Sequence, residues 1–171
     1  MLQKLEKARG LAAAVLGAVL CAGSIPASAV QAQTAAPRNP PSVYSDFHPS
    51  LSDMMTMSIQ PRHTKLGLAL RAGNFTYAAY EVGELRGAFR RIAQSMPGYE
   101  GKDTAMLLSQ ANPPLDALTA AIRAKQPRAA NAAFAELTAT CNQCHQSQGR
   151  NYLIIRAPAA SAFPDQDFTP H

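Results

Sequence analysis

The stretch FTYAAYEVGELRGAFRRIAQSM, residues 75–96, carries the clearest structural signal in the sequence. Its apolar side chains recur at alternating spacings of three and four residues: Phe75, Ala78, Val82, Leu85, Phe89, Ile92 and Met96. This spacing places them on one stripe of an α-helix, as in helices that pack together in a bundle. Pro97 and Gly98, which follow directly, predict the end of the helix.

A second helical pattern precedes this stretch, between Leu51 and Gly73. Its apolar residues also recur every three to four positions: Leu51, Met55, Ile59, Leu66 and Leu70. Pro61 lies inside the pattern, and because proline lacks a backbone N–H it is expected to kink the helix or split off its first part. Gly73 and Asn74 predict a helix end followed by the cap of the next helix.

Further helical patterns follow residue 96. A short helix is expected around 104–110, Asn112 with two following prolines predicts a helix start, and Pro127 predicts the start of another. Short links between successive helices favour antiparallel neighbours. The predicted fold is therefore all-α, an antiparallel up-and-down four-helix bundle over residues 51–150, followed by an extended tail at 151–171.

The N-terminal residues have the layout of a secretory signal peptide. Three basic residues precede an uncharged run at Leu11–Leu20, and small residues follow. The run is about ten residues long, too short to span a membrane. Cleavage is expected after Ala29 or Ala32, so that residues 1–29 are the signal and 30–50 form an irregular, proline-rich leader. The mature chain is expected in the periplasm, without a membrane span.

Removal of the signal changes the composition. Cys21 leaves with it, so only two of the three cysteines remain, and a disulfide framework is excluded. Loss of Lys4, Lys7, Arg9 and Glu6 reduces the formal charge from +5 to +3. This charge is small and scattered, which argues against a nucleic acid partner.

The two remaining cysteines belong to the sequence CNQCH, residues 141–145. On a helix, Cys141 and Cys144 lie about one turn apart, as covalent attachment to the two vinyl groups of a haem requires. The imidazole of His145 follows directly and can reach the iron. Phe134 and Leu137, one and two turns upstream, are expected to cover the macrocycle. The motif therefore predicts one covalently bound haem c, with His145 as the proximal iron ligand.

Two other chemistries use similar spacings. A redox-active cysteine pair is expected at the start of a helix, where the N-terminus stabilises a thiolate, but this motif closes one. A zinc site would need a fourth ligand, and His48, His63 and His171 are the only other histidines. Chance occurrence of the motif is the third alternative.

The position of the motif narrows the type of haem protein. No methionine follows His145, which excludes the common globular class in which a downstream methionine is the sixth ligand. With CNQCH on its last helix, the sequence resembles the class II c-type cytochromes, the cytochrome c′ group, over roughly residues 51–150. The stretches QPRHTKLGLALRAGNFTYAAYEVGEL and APAASAFPDQDF look like a secreted branch of this group. Gly149 stands where the family usually has a basic residue, and Arg150 comes one position later.

The sixth coordination position is expected on the first helix, which should run antiparallel to the last. Met55 and His63 share the inward face with Ile59, so either of them is a candidate distal ligand. Met57 points about 160° away from Ile59. Arg62 and Lys65 flank His63 and are candidates to hold a haem propionate.

These features predict a periplasmic mono-haem cytochrome that carries single electrons between redox partner proteins, and a homodimer is possible. No nucleophile or acid–base constellation stands out, so the chain is not expected to be an enzyme. The alternative is a five-coordinate protein that binds a diatomic gas, NO or CO. That alternative requires an apolar residue such as Leu66 over the iron, with Met55 and His63 out of reach.

Overall fold

A computed structural model describes residues 48–171. The predicted signal peptide, residues 1–29, and most of the predicted leader at 30–50 lie outside the described residues. The described part is mostly helical, in agreement with an all-α class, and its β structure is one two-stranded hairpin. The helical elements are α1 (Leu51–Met54), a π-helical turn (Met55–Ile59), α2 (Gln60–Ala72), α3 (Phe75–Ser95), α4 (Thr104–Ser109), α5 (Asn112–Arg123) and α6 (Pro127–Ser147).

The first three of these elements form one uninterrupted helical run. Ser50 and Asp53 cap its start reciprocally, each side chain bonding the other's backbone N–H. The π-helical turn lets the Gln60 N–H reach back to the Met55 carbonyl. Pro61 therefore falls in the first turn of α2, where its missing N–H is tolerated. The expected interruption takes the form of this π-helical turn, which separates α1 from α2 just before Pro61.

The link between α2 and α3 follows the sequence prediction. Gly73 has a left-handed φ of 74°, and the Asn74 side chain accepts a hydrogen bond from the Tyr77 N–H. After α3, strands β1 (Gly98–Tyr99) and β2 (Lys102–Asp103) pair antiparallel. The hairpin leads into the short helix α4, which confirms the helix expected around 104–110.

The core is shared by the longer helices. Helices α2 and α5 each contact both α3 and α6. Each of these four longer helices therefore packs against two of the other three. The largest fully buried apolar side chains are Leu66, Leu85, Ile92, Leu115, Leu118 and Leu137. These side chains come from α2, α3, α5 and α6, so burial of the predicted apolar stripes ties these helices together.

The tail at 151–171 contains no helix or strand and lies against α2 and α3, as expected for an extended tail. Arg71 donates to the Ala159 carbonyl and Asn74 to the Thr169 carbonyl. Phe168 is buried and packs edge-on against Tyr77, with ring centres 5.5 Å apart. Within residues 48–171, no helix combines the length and apolar character needed to cross a bilayer.

Candidate functional site

The CNQCH motif lines a cavity of about 260 Å³. One wall is formed by α6 and the tail, and the opposite wall by α1, the π-helical turn and the start of α2. Helix α4 and the hairpin close one side. The volume lies just below the range of about 300–1,000 Å³ that is typical of pockets for organic ligands. A macrocycle held here would keep one edge outside the cavity.

Both thiols lie on the α6 wall. Cys141 and Cys144 are three residues apart on the last turns of α6, partly buried, and not joined in a disulfide. Burial raises the pKa of Cys141 to about 11 and also raises the pKa of Cys144. Both thiols are therefore protonated at neutral pH, which is the opposite of the activated thiolate in a redox-active pair.

The imidazole of His145 lies on the same wall, with its orientation fixed by the tail. Its Nδ1 is 2.9 Å from the Leu153 carbonyl oxygen. A carbonyl only accepts hydrogen bonds, so Nδ1 carries the proton, and in the neutral ring Nε2 has the lone pair. Histidine ligands of metals are usually held in this way, by a second partner on the other ring nitrogen. The donor set thus fits a haem: two thiols for attachment and an oriented imidazole, all three lining the same cavity.

The opposite wall carries both predicted distal candidates. Met55 is partly buried and its thioether side chain lines the cavity. His63 also lines the cavity but is almost fully buried, at 4% exposure. Met57 is 61% exposed, as its predicted outward direction requires. Leu66 is fully buried in the core and is not among the described residues that line the cavity.

His63 is committed to another helix. Its ring stacks on Phe134 at a centroid distance of 4.6 Å, and its Nε2 lies 2.8 Å from the Thr138 hydroxyl. That hydroxyl donates its proton to the Phe134 carbonyl, so His63 Nε2 must be the donor to Thr138. Burial lowers the pKa of His63 to about 4, so the ring is neutral at physiological pH. Nε2 therefore carries the proton and donates it to Thr138, and the lone pair of the neutral His63 ring lies on Nδ1.

Several flanking residues differ from their expected roles. Phe134 and Leu137 were expected to cover the macrocycle, but both are buried in the core and neither is among the described cavity-lining residues. Arg62 pairs with Glu84 at 3.0 Å, and the Lys65 ammonium lies over the Phe163 ring at 4.6 Å. These cations are engaged by α3 and by the tail, away from the cavity wall.

The basic group at the cavity is Arg150 instead. It pairs with Glu100 at 2.8 Å and also donates to the Tyr99 hydroxyl. Gly149, with a left-handed φ of 70°, ends the helix at the position where the resemblance leads one to expect a basic residue. Because a left-handed residue at a helix end favours glycine, the basic side chain of Arg150 comes one position later.

Sequence reasoning missed the residues that fix the two histidines. Asn142 lies inside the motif, and its side chain both donates to the Ile155 carbonyl and accepts from the Ile155 N–H, at 2.9 and 2.7 Å. Thr138 lies one turn before Cys141 and holds His63. Nothing in the local pattern marks either residue, because each partner is remote in sequence.

Across residues 48–171, no group of three or more His, Cys, Asp or Glu side chains is arranged to hold a metal ion by itself. The site therefore offers iron one oriented imidazole and two attachment thiols, not a protein-only ligand cage. Comparison with known proteins found no matching family model, curated protein or solved structure.

Proposed function

We propose that this chain is a periplasmic mono-haem c-type cytochrome that carries single electrons, with haem attached through Cys141 and Cys144 and the iron bound by His145. The observation that carries the proposal is the hydrogen bond from His145 Nδ1 to the Leu153 carbonyl. In the neutral imidazole this bond places the proton on Nδ1 and the lone pair on Nε2, on a wall that also carries both thiols.

The architecture that we propose is the antiparallel up-and-down four-helix bundle of class II c-type cytochromes. Its support is the set of helix contacts, in which α2, α3, α5 and α6 each contact two of the others, together with the short links between them. The location of CNQCH at the end of α6 adds to this support.

For the sixth coordination position we favour Met55 over His63. The His63–Thr138 hydrogen bond sets the register of α2 against α6. In an antiparallel pair, moving from Thr138 to His145 along α6 corresponds to moving back by the same seven residues from His63, to the neighbourhood of Met55. Met55 is thus level with the proximal imidazole, and its thioether is free of competing strong hydrogen bonds.

The bound haem would supply an iron centre that alternates between the ferric and ferrous states. The chain's own contribution is to hold the group, limit water and set the potential. The cavity is lined mainly by apolar side chains, including Ile59, Phe89 and Leu108. Low local polarity disfavours the extra charge of the ferric state, whereas the His145–Leu153 bond strengthens the imidazole donor and favours it. From these features we infer that the chain carries electrons between redox partner proteins, without substrate turnover.

Absorption spectroscopy tests this proposal. The full chain would be produced with periplasmic haem maturation, and spectra recorded oxidised, reduced, and reduced with carbon monoxide. We expect haem that survives denaturation on a gel, low-spin spectra in both states and slow or weak binding of carbon monoxide. Rapid carbon monoxide binding by a five-coordinate ferrous form would favour the diatomic-gas alternative, and absence of covalent haem would refute both.

A further inference from the structure

The chain turns back on itself directly after α6. Gly149 adopts a left-handed φ of 70°, and the Arg150 N–H donates to the His145 carbonyl at 2.8 Å. The Leu153 N–H in turn donates to the Arg150 carbonyl at 2.9 Å. Two successive turns therefore bring the Leu153 carbonyl to the ring of His145.

These turns are short and lie at the surface, where Leu153 is 44% exposed. A further contact, outside these turns, is needed to hold the Leu153 carbonyl in place. Asn142 does so at Ile155, two residues further on, where its side-chain amide pairs with both the N–H and the carbonyl of that residue. A side-chain amide that uses its donor and its acceptor on one backbone unit fixes both the position and the direction of that unit.

The tail is also seated on α2. A Cβ atom added at Gly67 would lie 2.6 Å from Pro158 Cδ and 2.8 Å from Phe134 Cζ, so Pro158 fits only because Gly67 has no side chain. Arg71 donates to the neighbouring Ala159 carbonyl at 2.8 Å. The segment that carries the Leu153 carbonyl is thus anchored on α6 and, a few residues later, on α2.

We propose that Asn142 is a positioning residue for the proximal ligand: by clamping Ile155 it holds the Leu153 carbonyl against His145 Nδ1. The clamp fixes the tautomer and ring orientation of His145 and increases its electron donation. The residue between the two cysteines therefore acts on the iron's potential through the tail. This inference rests on the proposed function, because the effect on potential requires a bound haem.

The test compares Asn142→Ala with Gln143→Ala in the mature, haem-loaded full chain. Gln143 lies in the same motif, its side chain is exposed, and it has no side-chain hydrogen bond among the described contacts. Three quantities are measured: covalent haem content, reduction potential, and exchange with solvent of the Ile155 amide proton and the His145 ring proton by NMR. The exchange measurements report on the clamp directly.

In Asn142→Ala we expect full haem attachment, a more positive potential, and exchange of both protons faster by at least roughly threefold, because both hydrogen bonds between Asn142 and Ile155 are lost. Gln143→Ala should match the unaltered protein in all three. Asn142→Asp keeps the acceptor for the Ile155 N–H but cannot donate to the carbonyl, so its Ile155 exchange should be intermediate.

Identical potentials and exchange rates in the Asn142→Ala and Gln143→Ala proteins would overturn the positioning role and leave the proposed function standing. Absence of covalent haem from the unaltered chain would overturn both.

The contact of the tail with α2 is tested by comparing Gly67→Ala with Gly83→Ala, since a Cβ at Gly83 meets nothing within 4 Å in the described part of the chain. Faster exchange of the Ile155 amide proton in Gly67→Ala, but not in Gly83→Ala, would support the contact between the tail and α2. Equal exchange in the two variants would contradict it.

Discussion

Each of the two walls of the cavity carries a histidine, and the two histidines donate hydrogen bonds from different ring nitrogens. On the wall of α6 and the tail, His145 donates from Nδ1 to the Leu153 carbonyl and keeps the Nε2 lone pair. On the wall of α2, His63 donates from Nε2 to Thr138, which has already given its own proton to the Phe134 carbonyl. In the neutral state the His145 ring thus has its lone pair on Nε2, whereas the His63 ring links two helices through Nε2 and has its lone pair on Nδ1.

This difference shows that the hydrogen-bond partner, not the helix face, decides what a histidine can do. His63 meets the periodicity requirement for a distal ligand and lines the cavity, but its Nε2 is occupied by the bond to Thr138, and the lone pair that remains lies on Nδ1. Met55 lines the same wall and carries a sulfur atom that is only a weak acceptor. We therefore propose Met55, rather than His63, as the distal ligand.

Removal of the proximal imidazole should have the largest effect. We expect His145→Ala to retain the thioether bonds but lose the low-spin spectrum in both oxidation states, because the iron loses its strongest protein ligand. His63→Ala is the matched histidine variant and should retain the spectrum of the unaltered protein. If His63→Ala changes the spectra and His145→Ala does not, the roles of the two walls are reversed.

Removal of the distal thioether should have the next largest effect. Met55→Ala is expected to open the sixth position, so that the ferrous protein binds carbon monoxide rapidly, as stopped-flow absorption would show. Met57→Ala, a change of the same size at a site that is 61% exposed, should bind it as slowly as the unaltered protein. Rapid binding in the unaltered protein, unaffected by either substitution, would contradict the assignment of Met55.

The buried state of His63 predicts a specific dependence of stability on pH. Because burial lowers its pKa from 6.5 to about 4, the unfolded chain takes up a proton at a higher pH than the folded chain does. The free energy of unfolding should therefore fall as pH decreases from about 6.5 to 4, by up to about 3 kcal/mol from this group. Denaturant titrations of the protein and of His63→Leu check this. Equal pH dependence in both proteins would contradict it.

Loss of the partner of His63 should have the smallest of these effects. Thr138→Val preserves shape but leaves the buried Nε2–H of His63 without its acceptor, at a cost of about 1–3 kcal/mol in the free energy of unfolding. Thr140→Val is a suitable control, since Thr140 is on the same helix and its hydroxyl bonds only within its own turn, to the Glu136 carbonyl. Similar stabilities of the two variants would argue against the link between α2 and α6.

Much of the helical layout could be predicted from local signals. Gly73 and Asn74 marked a helix end and a cap, the two prolines after Asn112 marked the start of α5, and Pro127 marked the start of α6. These signals are reliable because they act through backbone geometry within one turn. Pro61 was a partial exception, since the π-helical turn that accommodates it has no recognisable sequence pattern.

The environment of the site was less predictable because it depends on long-range contacts. Phe134 was expected at the cavity because it lies on the same helix face as Cys141, but it stacks on His63 in the core instead. Asn142 meets Ile155, and the His145 ring meets the Leu153 carbonyl, only because the chain reverses at Gly149. Periodicity identifies the face of a helix, and it cannot show which neighbour that face meets at a given level.

The most direct test of the central claim is the intact mass of the full chain matured in the periplasm, compared with that of the Cys141→Ala, Cys144→Ala double variant. We predict that the unaltered chain carries the added mass of one haem after denaturation, and that the double variant lacks it. Added haem mass that persists in the double variant, or an unaltered chain that never acquires it, would contradict covalent attachment through this motif.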